Sequence, residues 1–164
     1  MILYPNDFFN NVREIKIEYL NKHNIKALIL DVDNTLINYY KEMEKGTKEW
    51  CQDLKNKGIK MYILSNSNKR DKVEKIAKDL QVPFRYFAKK PLKSGFKKAQ
   101  KELGLKSEEI AVIGDQLLTD IIGANRCRMY SILVNPIKEK DIWITRLKRP
   151  IEKMIMKNYK KGRN

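Results

Sequence analysis

The sequence predicts an α/β fold with a mostly parallel sheet, and two features of its 164 residues lead to that prediction. Short apolar runs of strand length recur along the chain, and amphipathic patterns of about 10–12 residues, typical of helices, separate them. The runs are 26–32, 60–65, 84–88, 109–115 and 130–135. Strands that alternate with helices form βαβ units, in which helices cover both faces of a parallel sheet. We therefore expect one three-layer, Rossmann-like domain of about five strands.

Four helices are predicted between or beside these strands, over 47–57, 68–80, 94–103 and 116–126. Thr47 is placed to cap the first helix, and Gly58 and Gly104 end the first and third because glycine readily adopts the left-handed terminating conformation. Pro83 requires the second helix to stop before it. Arg128, which follows the fourth helix, is expected to resist the left-handed conformation because its Cβ crowds the backbone there.

The chain carries a formal net charge of +15, from 35 Lys and Arg against 20 Asp and Glu. This excess indicates an anionic partner: nucleic acid, an anionic membrane or a phosphorylated substrate. A second interpretation stays equally open, because A/T-rich codons encode the Lys, Asn and Ile that abound here. No stretch approaches the ~20 apolar residues of a membrane span, no signal peptide is recognisable, and Cys51 and Cys127 have no metal-binding spacing. These features predict a cytoplasmic protein with two free thiols.

Polar side chains follow the carboxyl ends of four of the predicted strands. They are Asp31 and Asp33 after the first strand, Ser65 and Asn66 after the second, Lys90 after the third, and Asp115 after the fourth. Because the carboxyl ends of parallel strands meet at one edge of a sheet, and ligands bind there, we expect these side chains to converge.

Three of these residues are acids that can hold a metal ion. Asp31 and Asp33 project together because side chains two residues apart on a strand point the same way. Such close carboxylates need a counter-charge, and Asp115 adds a third acid. A hard divalent cation with oxygen ligands would neutralise the cluster, and Mg²⁺ is the usual choice where a phosphate also binds. Zinc is disfavoured because His23, the single histidine, precedes the first strand.

The remaining polar residues suit a phosphoryl group. Ser65 offers a hydroxyl, Asn66 an amide and Lys90 a positive charge as phosphate ligands. Together with a nucleophilic carboxylate and a second acid, they predict phosphoryl transfer through an aspartyl-phosphate intermediate.

Four motifs at these positions resemble, in order and spacing, those of the haloacid dehalogenase-like (HAD) superfamily. The motifs are DVDNTL (31–36), SNS (65–67), KP (90–91) and GDQLLTD (114–120). Beyond them, GIKMYILSNS, GDQLLTDIIGANR and ITRLKRPIE (144–152) resemble the subclass IIIA branch that includes phosphatidylglycerophosphate phosphatases. The resemblance covers nearly all of residues 20–152.

The resemblance implies a role for each matching residue. Asp31 would attack phosphorus, and Asp33 would protonate the leaving alkoxide and then deprotonate the attacking water. Mg²⁺ would bind the Asp31 carboxylate, the Asp33 main-chain carbonyl and Asp115. Ser65 and Lys90 would hold phosphoryl oxygens, and Asp120 would orient Lys90 or a metal-bound water. Thr35 would support the site or only form the turn after the strand.

The resemblance also bears on the substrate, because superfamily members select substrates largely with inserted cap domains. The two places for a cap, residues 37–59 and 66–90, hold only enough chain for a loop with one helix and for a helix with one strand. We therefore predict no cap and an open site, suited to a substrate presented by something large.

The chain termini are predicted to be appendages of the single domain 1–164: an N-terminal segment 1–24 and a basic C-terminal helix 138–164. The latter holds ten Lys and Arg against three Asp and Glu, with Ile144, Leu147, Ile151, Met154 and Ile155 at helical spacing. That helix either packs its apolar stripe on the sheet or lies on an anionic bilayer. Arg146 and Arg149 are predicted to pair with a lipid headgroup.

The leading hypothesis is a Mg²⁺-dependent phosphatase that acts on phosphatidylglycerophosphate, an anionic phospholipid, as a peripheral protein at the inner membrane face. The first alternative is a soluble sugar- or nucleotide-phosphatase whose site a neighbouring subunit closes. The second is a nucleic-acid or ribosome-binding protein on a phosphatase-like fold. Nucleic acid is the least favoured partner, because a binding protein does not need the complete catalytic set. The oligomeric state is left open.

Overall fold

The computed structural model describes residues 2–137 and 143–162, and of residues 143–149 it describes the backbone alone. Within these ranges six strands form one sheet, in which every neighbouring pair is parallel. The strands are β1 Asp7–Phe9, β2 Ala27–Leu30, β3 Lys60–Leu64, β4 Phe84–Arg85, β5 Ile110–Gly114 and β6 Tyr130–Val134. Their order across the sheet is β1-β6-β5-β2-β3-β4, so β2 lies centrally between β3 and β5.

The sixth strand, β1, comes from the N-terminal segment and was not among the predicted strands. It pairs with β6 at the edge of the sheet, with Asp7 opposite Ile132. The side chain of Asn6 strengthens this pairing, since its Oδ1 accepts a hydrogen bond from the Ser131 N–H at 2.8 Å. β1 was missed because an apolar stretch of two residues, Phe8 and Phe9, is too short to show alternation.

In the part of the chain that the structure describes, six α-helices accompany the strands: α1 Ile17–Lys22, α2 Thr47–Asn56, α3 Arg70–Leu80, α4 Lys93–Leu103, α5 Ile122–Arg126 and α6 Trp143–Lys161. The helix predicted over 116–126 is divided, because residues 117–121 form a π-helical turn before α5 begins. The expectation for Arg128 was wrong. Its φ is 59°, in the left-handed region, and the Met129 N–H bonds to the Ala124 carbonyl to close the helix end.

The helices lie in two layers because buried side chains alternate along each strand. Leu28 and Leu30 of β2 pack with α2 and α3 in one core, whereas Ala27 and Ile29 pack with α4 and α5 in the other. Phe96 of α4 lies fully buried in this second core. The three-layer α/β architecture is therefore confirmed.

The joining segments around β2 and β3 contain no cap domain. Loop 31–46 and α2 connect β2 to β3, and α3 alone is the regular element between β3 and β4. In the described residues, no inserted domain therefore covers the carboxyl edge of the sheet beside β2, β3 and β4, as the sequence predicts.

The C-terminal helix α6 divides its apolar stripe between the protein and the solvent. Ile155 and Met156 pack against a small core that includes Leu133, while Ile151 and Met154 are 49% and 60% exposed. The side chains of Arg146 and Arg149 lie outside the described residues. No described helix is long and apolar enough to cross a membrane.

Candidate active site

Asp31 lies at the centre of the site because it follows the central strand. The Asp31 N–H continues the sheet by donating to the Ile113 carbonyl of β5 at 3.0 Å. Its side chain is largely buried, 8% exposed for the residue as a whole. Such a buried carboxylate requires a cationic or hydrogen-bonding partner in the protein.

Lys90 is that partner, and its ammonium group is fully engaged. Nζ donates to Asp31 Oδ1 at 2.8 Å, to Asp120 Oδ1 at 2.7 Å and to the Leu64 carbonyl at 2.8 Å. Since an ammonium carries three protons, these three acceptors account for all of them. Burial by itself lowers the pKa of Lys90, but the neighbouring Asp120 and Asp31 carboxylates outweigh it, and the pKa lies above the ordinary lysine value. Lys90 is therefore a fixed cation.

Asn66 holds the backbone of Lys90. Its Oδ1 accepts from the Lys90 N–H at 2.6 Å, and its Nδ2 donates to the Lys90 carbonyl at 3.0 Å. The sequence interpretation placed this amide on a phosphate, whereas the structure places it on the chain that carries the cation. Asn66 is thus a positioning residue for Lys90.

Three carboxylates converge beside Lys90: those of Asp31, Asp115 and Asp120. One oxygen of each lies within 4.8 Å of the other two, and all three residues are buried. Thr35 Oγ1 donates to Asp115 Oδ1 at 3.5 Å, which joins the turn after β2 to the acid after β5. An all-oxygen, anionic set of this size fits a hard divalent cation such as Mg²⁺ and does not favour zinc.

Asp120 belongs to this cluster and also to the Lys90 ion pair. Burial and the nearby Asp31 carboxylate raise the pKa of Asp120 to about 7, although Lys90 and the Gln116 N–H oppose the rise. Oδ1 faces Lys90, and Oδ2 accepts from the Gln116 N–H at 3.3 Å. Of the two roles predicted for Asp120, the structure therefore supports the orientation of Lys90.

The Asp33 side chain points away from the buried carboxylates and toward α3. Its Oδ1 pairs with Lys72 Nζ at 2.7 Å, and 48% of the side chain is exposed. A carboxylate at the open mouth of the site is placed to exchange protons with a substrate or a water molecule. The cluster of buried carboxylates contains Asp120 and not Asp33. The metal ligand that Asp33 is predicted to supply is its main-chain carbonyl, so its carboxylate is not needed in the cluster.

Sequence reasoning missed Lys72, because no motif contains it. The available signal was its position in the first turn of the helix that follows Ser65 and Asn66, since that turn starts near the carboxyl edge of the sheet. Lys72 Nζ reaches back to Asp33 and lies in the mouth of the site, with its side chain 14% exposed.

Ser65 is completely buried and directly follows β3, the strand that pairs with β2. Its Oγ accepts a hydrogen bond from the Ser67 N–H at 3.1 Å. A serine hydroxyl that accepts in this way still carries its own proton, which it can donate to a phosphoryl oxygen. The phosphate role of Ser65 stays a prediction that this geometry permits.

Gly114 is required for the approach of Asp120, which leads to a first prediction. A Cβ at position 114 would lie closer than 3.0 Å to Cγ, Oδ2 and Cβ of the fully buried Asp120. We expect Gly114→Ala to displace this carboxylate and lower kcat/KM by about 10²-fold, the size of effect that a misplacement of about 1 Å produces. The measurement is steady-state phosphate release per folded protein.

Gly123→Ala is the matched control, because its Cβ would meet the buried Phe96 ring in the core instead of a site residue. Both substitutions are expected to destabilise the fold by about 1–3 kcal/mol through overpacking. Equal specific activities for the two folded variants would contradict the role assigned to Gly114.

Comparison with known proteins identifies the family. The profile of the haloacid dehalogenase-like hydrolases matches residues 42–128, just over half of the chain. The Bacillus subtilis protein named "Probable phosphatase YqeG" is 39% identical over 160 residues, which cover 96% of this chain and 91% of that protein. The chain belongs to the haloacid dehalogenase-like (HAD) hydrolases. It is a phosphoric monoester hydrolase, and the buried acids Asp31 and Asp115 directly follow β2 and β5 of its sheet.

Two further relatives of this HAD hydrolase are longer proteins, of which the chain spans about half. Glyceraldehyde 3-phosphate phosphatase of Pyrococcus furiosus is 30% identical over 79% of this chain and 56% of that protein. Phosphatidylglycerophosphate phosphatase 1 of Arabidopsis thaliana is 27% identical over 94% of this chain and 47% of that protein. The cobalt-bound deoxy-D-mannose-octulosonate 8-phosphate phosphatase of Haemophilus influenzae superposes with a TM-score of 0.55 at 17% identity, covering 82% of this chain and 89% of that one, which shows the shared fold.

Proposed function

We propose that this HAD phosphatase is Mg²⁺-dependent, forms an aspartyl-phosphate at Asp31 and hydrolyses phosphatidylglycerophosphate at the surface of an anionic membrane. The observation that supports the membrane substrate best is the rim of the site, by which we mean the segments that follow β2 and β4, where aromatic and basic side chains are exposed. The proposal therefore has two separate parts, the chemistry inside the site and the substrate outside it.

The chemistry assigns one task to each of the buried groups and to the half-exposed Asp33. Asp31 attacks the phosphorus atom of the monoester, and the alkoxide that leaves takes its proton from Asp33. Asp33 then accepts a proton from the water that hydrolyses the aspartyl-phosphate. Lys90 and the Ser65 hydroxyl stabilise the negative charge that builds up on the phosphoryl oxygens.

The metal site fits this chemistry. Asp31 and Asp115 would hold Mg²⁺ together with the Asp33 main-chain carbonyl, while Asp120 stays paired with Lys90 at 2.7 Å. When bound, the ion supplies positive charge that offsets the repulsion between the carboxylates and the phosphoryl group. Mg²⁺ would bind the folded protein but not the unfolded chain, so it is expected to raise the melting temperature of the protein.

The rim of the site is rich in exposed apolar side chains. Among the described residues, nine large hydrophobic side chains are exposed, and five of them follow β2 and β4 at the carboxyl edge of the sheet. These five are Tyr39, Tyr40, Tyr86, Phe87 and Leu92. Tyrosine and other amphipathic aromatic residues favour the boundary between lipid headgroups and acyl chains.

Basic side chains lie among these aromatic residues. The Arg70 guanidinium carbon is 5.9 Å from the centre of the Tyr86 ring, and Lys89 Nζ is 5.1 Å from the centre of the Phe87 ring. Each Lys or Arg close to an anionic membrane contributes about 1 kcal/mol to binding. A rim of this composition, around a site without a cap, suits a substrate embedded in an anionic bilayer.

The test is phosphate release from vesicles that contain phosphatidylglycerophosphate, with Mg²⁺ or with EDTA. We expect hydrolysis only with Mg²⁺, and a loss of activity on vesicles when Tyr40 and Phe87 are both replaced by Ser. Ile2→Ser is the matched control, because Ile2 is exposed but precedes β1, so it lies before the amino end of a strand and not after a carboxyl end. The rim variant should retain its activity on a soluble ester, whereas equal losses on both substrates would contradict the membrane role.

A soluble sugar phosphatase is the second candidate, and the Pyrococcus furiosus relative is the observation that favours it. Under this alternative, the enzyme ignores the lipid vesicles and cleaves glyceraldehyde 3-phosphate or related soluble esters efficiently. Light scattering then decides whether a neighbouring subunit closes the site, because an open monomer cannot enclose a small substrate.

A further inference from the structure

A strongly basic cleft lies next to the catalytic acids. Its volume is about 570 Å³, and five cationic side chains but only one acidic one line it. The lining residues are Lys41, Lys69, Arg70, Asp71, Lys72, Lys75 and Ile76. The proposed chemistry uses none of them. Two of the cations are already paired, Arg70 with Glu74 at 3.5 Å and Lys72 with Asp33 at 2.7 Å. The other three, Lys41, Lys69 and Lys75, are exposed, and an anion bound among them would offset their mutual repulsion.

Lys72 connects this cleft to the active site, because it lines the cleft while its Nζ lies 2.7 Å from Asp33 Oδ1. Asp33 is the residue that would protonate the leaving group. The cleft therefore lies on the leaving-group side of the scissile phosphate, where the remainder of a substrate molecule must pass.

The helix α3 reinforces the preference for an anion. Its first turn carries two cations, Arg70 and Lys72, beside a single acid, Asp71, and the amino end of a helix is itself partially positive. The N-cap residue Lys69 makes no side-chain capping hydrogen bond. Cations concentrated at a helix N-terminus form an arrangement that binds phosphate-like groups. The cations and the helix terminus point into the same cleft region.

We infer that this cleft is a second anion-binding subsite, which holds a phosphodiester or similar anionic group on the leaving-group side of the substrate. The inference rests on the phosphatase function and narrows its substrate class to phosphomonoesters that carry a second anion a few bonds away. In phosphatidylglycerophosphate, one glycerol separates the scissile monoester from a phosphodiester, which is the separation that two adjoining subsites require. A simple ester such as glycerol 3-phosphate would leave the cleft empty.

The experiment compares two soluble substrates, so that membrane binding plays no part. Glycerophosphoglycerol phosphate, the deacylated headgroup, carries both anions, and glycerol 3-phosphate carries only the scissile one. In the Lys69→Gln/Lys75→Gln double variant, we expect KM for the headgroup to rise roughly three- to tenfold, because each exposed charge pair contributes modestly. KM for glycerol 3-phosphate and kcat for both substrates should stay within about twofold.

Lys78→Gln is the matched control, because Lys78 lies on the same helix, is 75% exposed, pairs with Glu74 at 3.5 Å and does not line the cleft. It removes one positive charge, half of the change in the double variant, and leaves every residue that lines the cleft in place. An equal rise of KM in this control, or an equal rise for both substrates in the double variant, would overturn the subsite and indicate only a general effect of net charge.

Failure of the phosphatase proposal is distinguishable from failure of the subsite. If the wild type hydrolyses neither ester, glycerophosphoglycerol, which has the diester alone, is titrated into the wild-type protein and followed by amide NMR. Shifts confined to residues 69–75 that disappear in the double variant would support the subsite on their own. Shifts elsewhere, or unchanged shifts in the double variant, would overturn it.

Discussion

Replacing Asp31 with Asn is expected to abolish phosphate release while the protein remains folded. An amide cannot attack phosphorus as a carboxylate does, so the covalent route is lost. We expect kcat to fall by at least about 10³-fold, since loss of a nucleophile removes most of the catalytic contribution. The measurement is phosphate release at saturating substrate, with a melting curve to confirm that the variant is folded.

The melting temperature of Asp31→Asn should change little, because the substitution removes one of three crowded negative charges and leaves Asp120 to pair with Lys90. Asp53→Asn is the matched control, since Asp53 is exposed on α2 and pairs with Lys57 at 3.0 Å, away from the acidic cluster. Phosphate release by Asp31→Asn at the wild-type rate would refute the aspartyl-phosphate mechanism.

Replacing Lys90 with Met is expected to produce the largest loss of stability. Met is of similar length but leaves the buried Asp31 and Asp120 carboxylates without the cation that binds both. Removal of one partner from a buried ion pair typically lowers the free energy of unfolding by about 3–5 kcal/mol. Urea denaturation of the metal-free protein in EDTA measures this loss, and phosphate release should fall as well because the phosphoryl group loses its fixed cation.

The stability deficit of Lys90→Met should depend on pH in a known direction. The pKa of Asp120 is raised from 3.8 to about 7 by burial and by Asp31, and Lys90 holds it down from a higher value. An acid whose pKa is higher in the folded chain binds a proton on folding, so stability falls as pH rises toward the folded pKa. Without Lys90 the pKa of Asp120 is higher, so the stability of the variant keeps falling above about pH 7, where that of the wild type levels off. The stability deficit of Lys90→Met should therefore be larger at pH 9 than at pH 6.

Lys75→Met is the control for this pH dependence, because Lys75 is exposed and lies outside the acidic cluster. Its stability difference from the wild type should be small at both pH values. A deficit of Lys90→Met that stays constant between pH 6 and pH 9 would show that Asp120 does not titrate in this range.

Much of the architecture follows from local sequence. The apolar runs at β2 and β5 are buried on both faces of the sheet, so every residue in them is apolar or small. Such runs can be recognised as strands from the sequence. Because all strands are parallel, the ends of these runs had to meet at one edge. Asp31, Ser65, Lys90 and Asp115 were therefore predictable as neighbours.

Direction and pairing of side chains were not predictable in the same way. Asp33 follows Asp31 by two residues, yet it turns to Lys72, and Asn66 binds the Lys90 backbone instead of facing the site. Both outcomes depend on groups that are distant in sequence and approach only when the helices pack. The basic cleft has the same origin, since Lys41 and the first turn of α3 meet across a gap of about thirty residues.

The sequence by itself determined the α/β class, the edge that carries the chemistry and the residue types for phosphoryl transfer, because periodicity and strand ends are local properties. The tertiary structure alone decided that β1 completes the sheet, that the Asp33 carboxylate pairs with Lys72, and that Asn66 holds the backbone of Lys90. Those three outcomes depend on contacts between segments that are distant in the sequence. Only packing creates such contacts, and their free energies exceed the local preferences that a sequence displays.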